Sequence, residues 1–174
     1  MVETKVTYLR VQIAHGSRRL SADQAQEILQ LPSSTTRKQL QAFLGLTDYC
    51  RIWIPNCGLI AKPLYESLKG WDDLIPLMWG TPQKKAEATL KQVLTQAPAL
   101  RLPDPEKAFQ LYVHEIEGIA LGVLTQRLGS EPQPVAYLSK RLNPTTWGWP
   151  LCLWNLAAIA IMVEDALNSP LGAN

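Results

Sequence analysis

Apolar residues recur at helical spacing through residues 36–55, TRKQLQAFLGLTDYCRIWIP. Leu40, Phe43 and Leu44 fall on one face, and Lys38, Gln41, Gly45 and Asp48 fall along another. Thr36 and Gln39 have the spacing of a capping box, in which hydroxyl and amide each satisfy one orphan N–H. Gly45 is out of place, because Gly inside a helix costs roughly 1 kcal/mol against Ala. Such a residue usually marks tight packing or close backbone approach. The polar stripe therefore has two readings, a solvated face with a tolerated Gly or a surface lying against a nucleic-acid backbone.

Upstream, Val6–Ile13 is β-rich and partly alternating and reads as a strand. His15-Gly16-Ser17 makes a turn, and Arg18-Arg19-Leu20 returns from it. Ser21 caps a short helix to Leu29, and residues 31–35 link it to the helix already described. Further helices are expected from about Ile60 to Leu68, burying Leu64 and Leu68, and from Gln83 to Thr95 with Pro82 in its first turn. Between them, residues 70–81 read as an irregular packed loop. Ala97–Lys107, with three Pro, reads as an extended connector and domain boundary. Beyond it the period changes from helical to alternating. Strands are expected at Phe109–Val113, Ile119–Arg127 and Val135–Ser139, with turns at Gly118 and Gly129–Pro132. A helix then runs from Pro150 to about Asn168. Its apolar part, Leu151–Val163, has about thirteen residues and contains Asn155, which is too short for a bilayer and is expected to be buried in a core.

Composition adds limits. The chain has 174 residues, 47% of them hydrophobic, enough to bury a core. Its net charge of +2 is too small to indicate nucleic-acid binding. Distribution says slightly more: residues 1–70 carry nine Lys and Arg against five acids, and residues 71–174 carry eight against ten. The first half is the better polyanion face. Cys50, Cys57 and Cys152 are odd in number, His15 and His114 stand alone, and the spacing does not suit structural zinc. Met1–Lys5 is polar with no apolar run after it, so no signal peptide is expected. A reducing intracellular setting, cytoplasmic or nuclear, is the expectation.

Five stretches carry a family resemblance: VTYLRVQIAHGSRRLS, RKQLQAFLGLTDYCRIWIPNCGLIAKPLYESLK, APALRLPDPEKAFQLYVHE, GVLTQRLG with PVAYLSKRLNP, and GWPLCLWNLAAIAIM. Their order and spacing over nearly the whole chain resemble the Pol protein of retroviruses and Ty3-like retrotransposons. Specifically, they look like the gammaretrovirus type of endogenous element. The resemblance implies an α+β architecture in three parts. Residues 1–20 would be a primer-grip-like β-hairpin around Tyr8, Leu9 and Arg10, residues 21–97 a helical thumb, and residues 98–174 a partial RNase H-like β-β-β-α connection domain. In that arrangement Lys38, Gln41 and Gly45 become a nucleic-acid track, and Arg51 and Lys62 become candidate phosphate contacts. Arg10 departs from the family, which has Gly there; it would disturb a primer approach or add a phosphate contact.

The family's polymerase and RNase H chemistries need carboxylates around metal ions. The polymerase acids belong to a palm expected to lie before this chain. Asp72-Asp73 has no hairpin context and is rejected as their equivalent. His114 and Asn155 stand where RNase H enzymes place carboxylates, so these positions look degenerate. The expectation is thus a piece of an endogenous-retrovirus reverse transcriptase that binds template–primer as an RNA–DNA hybrid or other duplex but does not react with it. No cofactor is expected in this chain, Mg2+ being used only by the intact family enzyme. A palm-bearing polymerase chain is a possible partner and a membrane is not. The alternatives are an enzyme subunit completed by that partner, or a protein-interaction module or inert retroviral remnant. The connection-like part is also expected to be truncated, and marginal or sticky, with an open sheet edge and an uncovered helix face.

Overall fold

A computed structural model describes residues 5–8, 11–69, 77, 79–143 and 148–168 of the chain. Three short strands open it: β1 (Lys5–Tyr8), β2 (Val11–Ala14) and β3 (Ser17–Leu20). They pair antiparallel in sequence order, with Val6 opposite Ile13 and Val11 opposite Leu20. The single strand expected over 6–13 is therefore two; no Gly, Pro, Asn or Asp marks the break in the sequence. The His15-Gly16 turn is as expected. Both residues have positive φ, 50° and 69°, the requirement of the two-residue hairpin turn that matches strand twist.

Helices α1 (Ala22–Gln30), α2 (Arg37–Tyr49), α3 (Cys57–Ser67) and α4 (Thr81–Thr95) follow. Ser21 caps α1 by accepting the Gln24 N–H at 3.3 Å. The capping box of α2 is present: Gln39 N–H donates to Thr36 Oγ1 at 3.2 Å, and Thr36 N–H donates to Gln39 Oε1 at 3.2 Å. α3 starts three residues earlier than expected. Its first turn follows Asn56, which has φ 57° and makes no side-chain cap, so the sequence carries no start signal. The Gly58 N–H instead donates to Ser139 Oγ at 2.7 Å, across the molecule. The four helices enclose one core with Leu40, Leu64, Leu90 and Leu94 at its centre. Leu20 and Leu100 close it from the sheet side. Leu68 is only partly buried at its edge.

The connector holds one surprise. Leu100–Arg101 forms strand β4, which pairs with β3 through Ser17–Arg101 and Arg18–Leu100 and makes the first sheet four-stranded. After it, the buried Gln126 side chain secures the connector, accepting the Asp104 N–H at 2.9 Å and donating to the carbonyls of Asp104 at 2.7 Å and Lys107 at 3.0 Å.

β5 (Phe109–Ile116), β6 (Ile119–Leu128) and β7 (Glu131–Arg141) form a second antiparallel sheet, and α5 (Leu151–Asn168) packs on it. Alternation along the strands decides the two faces. Leu111, Val113, Ala120, Leu124, Ala136 and Leu138 meet Ala158 and Met162 of α5. Gly122 leaves room for this: a Cβ there would lie 3.0 Å from Met162 Sδ. The opposite face receives the helical half. Tyr137 packs into the first core, and Ile52 touches both cores. Arg18 reinforces the junction, donating to the Val135 carbonyl at 2.8 Å while stacking 6.0 Å from the Trp53 ring.

α5 does not meet the expectation of a buried helix. Only Ala158 and Met162 are buried among its described side chains, and Leu151, Leu156, Ile159, Val163 and Leu167 are exposed. Nor is it too short: it has 18 residues and a mean hydropathy of 1.4, so length and composition alone would let it cross a membrane. The thirteen residues of Leu151–Val163 are only the apolar part of a helix that runs to Asn168, as expected. Its seating on the sheet through Met162 marks it as a sheet-packing helix with an uncovered outer face. Among the described residues β5 has no second partner strand, so the open sheet edge is also present.

The three cysteines are unpaired. Burial raises the thiol of Cys50 to a pKa of about 11. It raises that of Cys57 to about 12, with the nearby Asp48 carboxylate adding to the effect and Arg51 opposing it. Cys152 is exposed. Native protein at pH 8 should therefore react with a thiol-specific disulfide reagent at Cys152 alone, and at all three cysteines once unfolded. Rapid labelling of Cys50 or Cys57 in the native state would contradict this packing.

Candidate nucleic-acid interface

The apolar side of α2 is consumed by the core: Leu40, Phe43, Leu44 and Thr47 are buried. This fixes what its other side presents. Lys38, Gln41, Gly45 and Asp48 are all exposed and share that side, as the helical period predicts. A Cβ at Gly45 would meet nothing within 4 Å, so no contact inside the chain requires a glycine there. Tyr49 lies one turn beyond Gly45 and is 53% exposed. It belongs to the same open surface but was not recognised from the sequence, although its i+4 relation to Gly45 was available.

Asp48 ends the stripe. Its carboxylate accepts the Tyr65 hydroxyl, at 2.9 and 2.8 Å from its two oxygens. Burial first, and the Asp48 carboxylate second, push the Tyr65 phenol above its ordinary range.

Arg51 and Lys62 are placed differently from the stripe, at the junction with the second sheet. Arg51 donates to the Ser139 carbonyl and lies 3.6 Å from Asp165 of α5. Lys62 pairs with Glu117 at 2.8 Å. That pair holds the exposed Glu117 carboxyl below the usual carboxylate range. Lys140 also reaches Asp165, at 3.4 Å, and Arg141 is exposed beside it. Together with Asp48, Tyr65 and the start of α3, these cations line a cleft of about 360 Å3.

Tyr8 ends β1, and Leu9, Arg10 and Asp72-Asp73 lie outside the described residues. His114 and Asn155 are not brought together. The strand face bearing Val113 meets α5, so alternation turns His114 to the other face, where it lines a shallow cleft with Pro55 and Asn56. Asn155 is exposed on α5. Among the described residues no three His, Cys, Asp or Glu side chains cluster as metal ligands would.

This geometry has counterparts. A family model described as "RNase H-like domain found in reverse transcriptase" matches residues 79–168. The chain is 48% identical over 172 residues to the Gag-Pol polyprotein of avian reticuloendotheliosis virus, covering 99% of this chain and 15% of that protein. It is 43% identical to the Gag-Pol polyprotein of woolly monkey sarcoma virus, over 100% of this chain and 10% of that protein. Identity to the Pol polyprotein of feline endogenous virus ECE1 is 42%, over 98% and 16% respectively. The chain thus spans between a tenth and a sixth of these relatives. In fold it is similar to the foamy viral protease–reverse transcriptase in complex with double-stranded DNA, with TM-score 0.85 and 23% identity over 99% of this chain and 30% of that one. The same enzyme in complex with an RNA/DNA hybrid matches with TM-score 0.82 and 22% identity, over 97% and 23%. With a domain model matching half of its residues and identity to these polyproteins along nearly all of this chain, the chain belongs to the retroviral Pol family and carries the RNase H-like domain found in reverse transcriptase.

Proposed function

We propose that this chain grips duplex nucleic acid, RNA–DNA hybrid or double-stranded DNA, as the thumb and connection part of a retroviral reverse transcriptase. Gly45 is the observation that carries the reading. A helical glycine with empty space above it costs stability without serving the fold, and it leaves a flat gap between Lys38, Gln41 and Tyr49 where a duplex can approach the backbone. Lys38 supplies charge, Gln41 a hydrogen-bonding amide and Tyr49 an aromatic edge. The solved foamy viral complexes with duplex DNA and hybrid support the ligand class. The β1–β2 region, with Tyr8, Leu9 and Arg10, takes the primer-grip role. Residues 21–97 act as thumb and the remainder as an RNase H-like support. Neither His114 nor Asn155 is an acid, so we assign this chain holding rather than chemistry. A palm-bearing polymerase part would supply the carboxylates and Mg2+.

A second reading, a protein-interaction module, is favoured by the exposed leucines of α5, which suit a protein neighbour better than a phosphate backbone.

Binding to a fluorescent hybrid of about 20 base pairs tests the first reading. Lys38→Glu should weaken it by roughly tenfold and flatten the fall of log affinity with log salt by about one to two units. Gly45→Ala should stabilise the fold by roughly 0.5–1 kcal/mol yet weaken binding several-fold. If Gly45→Ala binds as the unaltered chain does, α2 is not the contact surface.

A further inference from the structure

The outer face of α5 carries an apolar stripe whose spacing is the same read from either end. Cys152, Leu156, Ile159, Ala160, Val163 and Leu167 are all exposed, and successive members stand 4, 3, 1, 3 and 4 residues apart. Helical period sets the six on one side, turned away from Ala158 and Met162, which meet the sheet. The steps from Cys152 through Leu156 and Ile159 to Val163 are those of a seam along which one helix packs lengthwise on another. Charge argues against other occupants. α5 has no Lys or Arg to meet a phosphate backbone or an anionic bilayer surface. Its two acids, Glu164 and Asp165, fall outside the stripe, and Asp165 is held by Arg51 and Lys140.

We infer that the outer face of α5 packs antiparallel against the same face of a second copy of this chain. The inference rests on the protein-contact reading of α5 above and names the partner. A two-fold contact requires a patch complementary to itself, and the symmetric spacing supplies one. With the axis between Ile159 and Ala160, Leu156 comes opposite Val163 of the second copy, Cys152 opposite Leu167 of the second copy, and Ile159 opposite Ala160 of the second copy. The small Ala160 beside the axis lets the helices come close, and antiparallel packing sets opposite ends of the two helix dipoles side by side. The stripe offers roughly 500 Å2 of apolar surface on each copy, so a pair buries about 1,000 Å2, the threshold of a specific interface. The dimer should therefore be reversible, with a dissociation constant on the order of 10 μM.

Sedimentation of the full chain from about 1 to 200 μM reads this equilibrium. The unaltered chain should pass from monomer to dimer. Ile159→Glu sits at an exposed position and spares the core, but it buries two carboxylates near the axis and should weaken the pair roughly 100-fold. Leu167→Cys tests the orientation. Cys152 and position 167 are about 22 Å apart along one helix, too far for a disulfide within a chain. Mild oxidation of that variant should link Cys152 to position 167 of the second copy and give a covalent dimer. Links between two Cys152 side chains alone would mean a parallel pair and overturn the inferred geometry. A dimer that survives Ile159→Glu is held elsewhere and overturns the inference. A chain that stays monomeric throughout also overturns it, while leaving α5 open to a different protein. Co-flotation with phosphatidylcholine vesicles, abolished by Ile159→Glu, would assign the face to lipid and sink both the pair and the protein-contact reading.

Discussion

Replacing Glu87 with Ala should destabilise the fold by about 3 kcal/mol, a large share of the stability of a domain of this size. Glu87 is buried on α4 and faces the linker before α2. Its carboxylate accepts the Ser34 N–H at 3.3 and 3.4 Å and the Ser34 hydroxyl at 3.5 Å, and it pairs with Lys91 at 3.3 Å. Lys91 is itself mostly buried, with its ammonium donating to the Leu31 carbonyl at 2.7 Å and lying 5.7 Å from the Phe43 ring centre. Removing the carboxylate strands a desolvated ammonium and orphans a backbone N–H, and both effects have the same sign. Glu87→Gln keeps the acceptor and should cost less. Replacing both Glu87 and Lys91 with Leu removes the charges together and should recover the part of the loss due to the stranded ammonium, leaving the Ser34 N–H unpaired. Urea unfolding measures each. A Glu87→Ala cost below about 1 kcal/mol would show that water reaches the pair and that the linker is not held by it.

Gly58→Ala should also destabilise, by about 1–3 kcal/mol, although Ala is the better helix former. An added Cβ would stand 2.9 Å from Ser139 Oγ and 3.3 Å from Ile119 Cγ2. The hydroxyl cannot retreat freely, because it accepts the Gly58 N–H that starts α3. The two halves must part slightly or the cap must break, the latter worth about 1 kcal/mol on its own. Adding Ser139→Ala to Gly58→Ala removes the collision but also the cap, so it should restore only part of the stability. A raised urea midpoint for Gly58→Ala alone would mean that helix propensity wins and the junction is pliable.

Local signals are legible in the sequence. The Thr36–Gln39 box, the Ser21 cap, Pro82 in the first turn of α4 and the His15-Gly16 turn each act within a few residues, and the structure contains all four. Long-range partners were not legible. The start of α3 depends on Ser139, and β4 exists because Leu100 and Arg101 find β3. The exposure of α5 depends on what packs on its outer face, which composition does not record. The candidate interface divides the same way. Lys38, Gln41 and Gly45 follow from helical period, whereas Arg51 and Lys62 owe their positions to Asp165 and Glu117, and Lys140 and Arg141 join them only through the docking of β7. The face on which His114 lies was not legible for a related reason. Matching positions in a linear motif does not say which side of a strand faces the helix.

The pairing of β3 with β4 also bears on the order of events during synthesis. β3 precedes the four helices, but its outer hydrogen-bonding edge finds its partner only when Leu100 and Arg101 emerge after them. Closing so long a loop is slow compared with forming the helices within it. On the ribosome, α1–α4 can therefore collapse around Leu40, Leu64 and Leu90 while the first sheet is still incomplete. β4 then acts as a latch, joining a segment made before the helices to one made after them and sealing the core through Leu100.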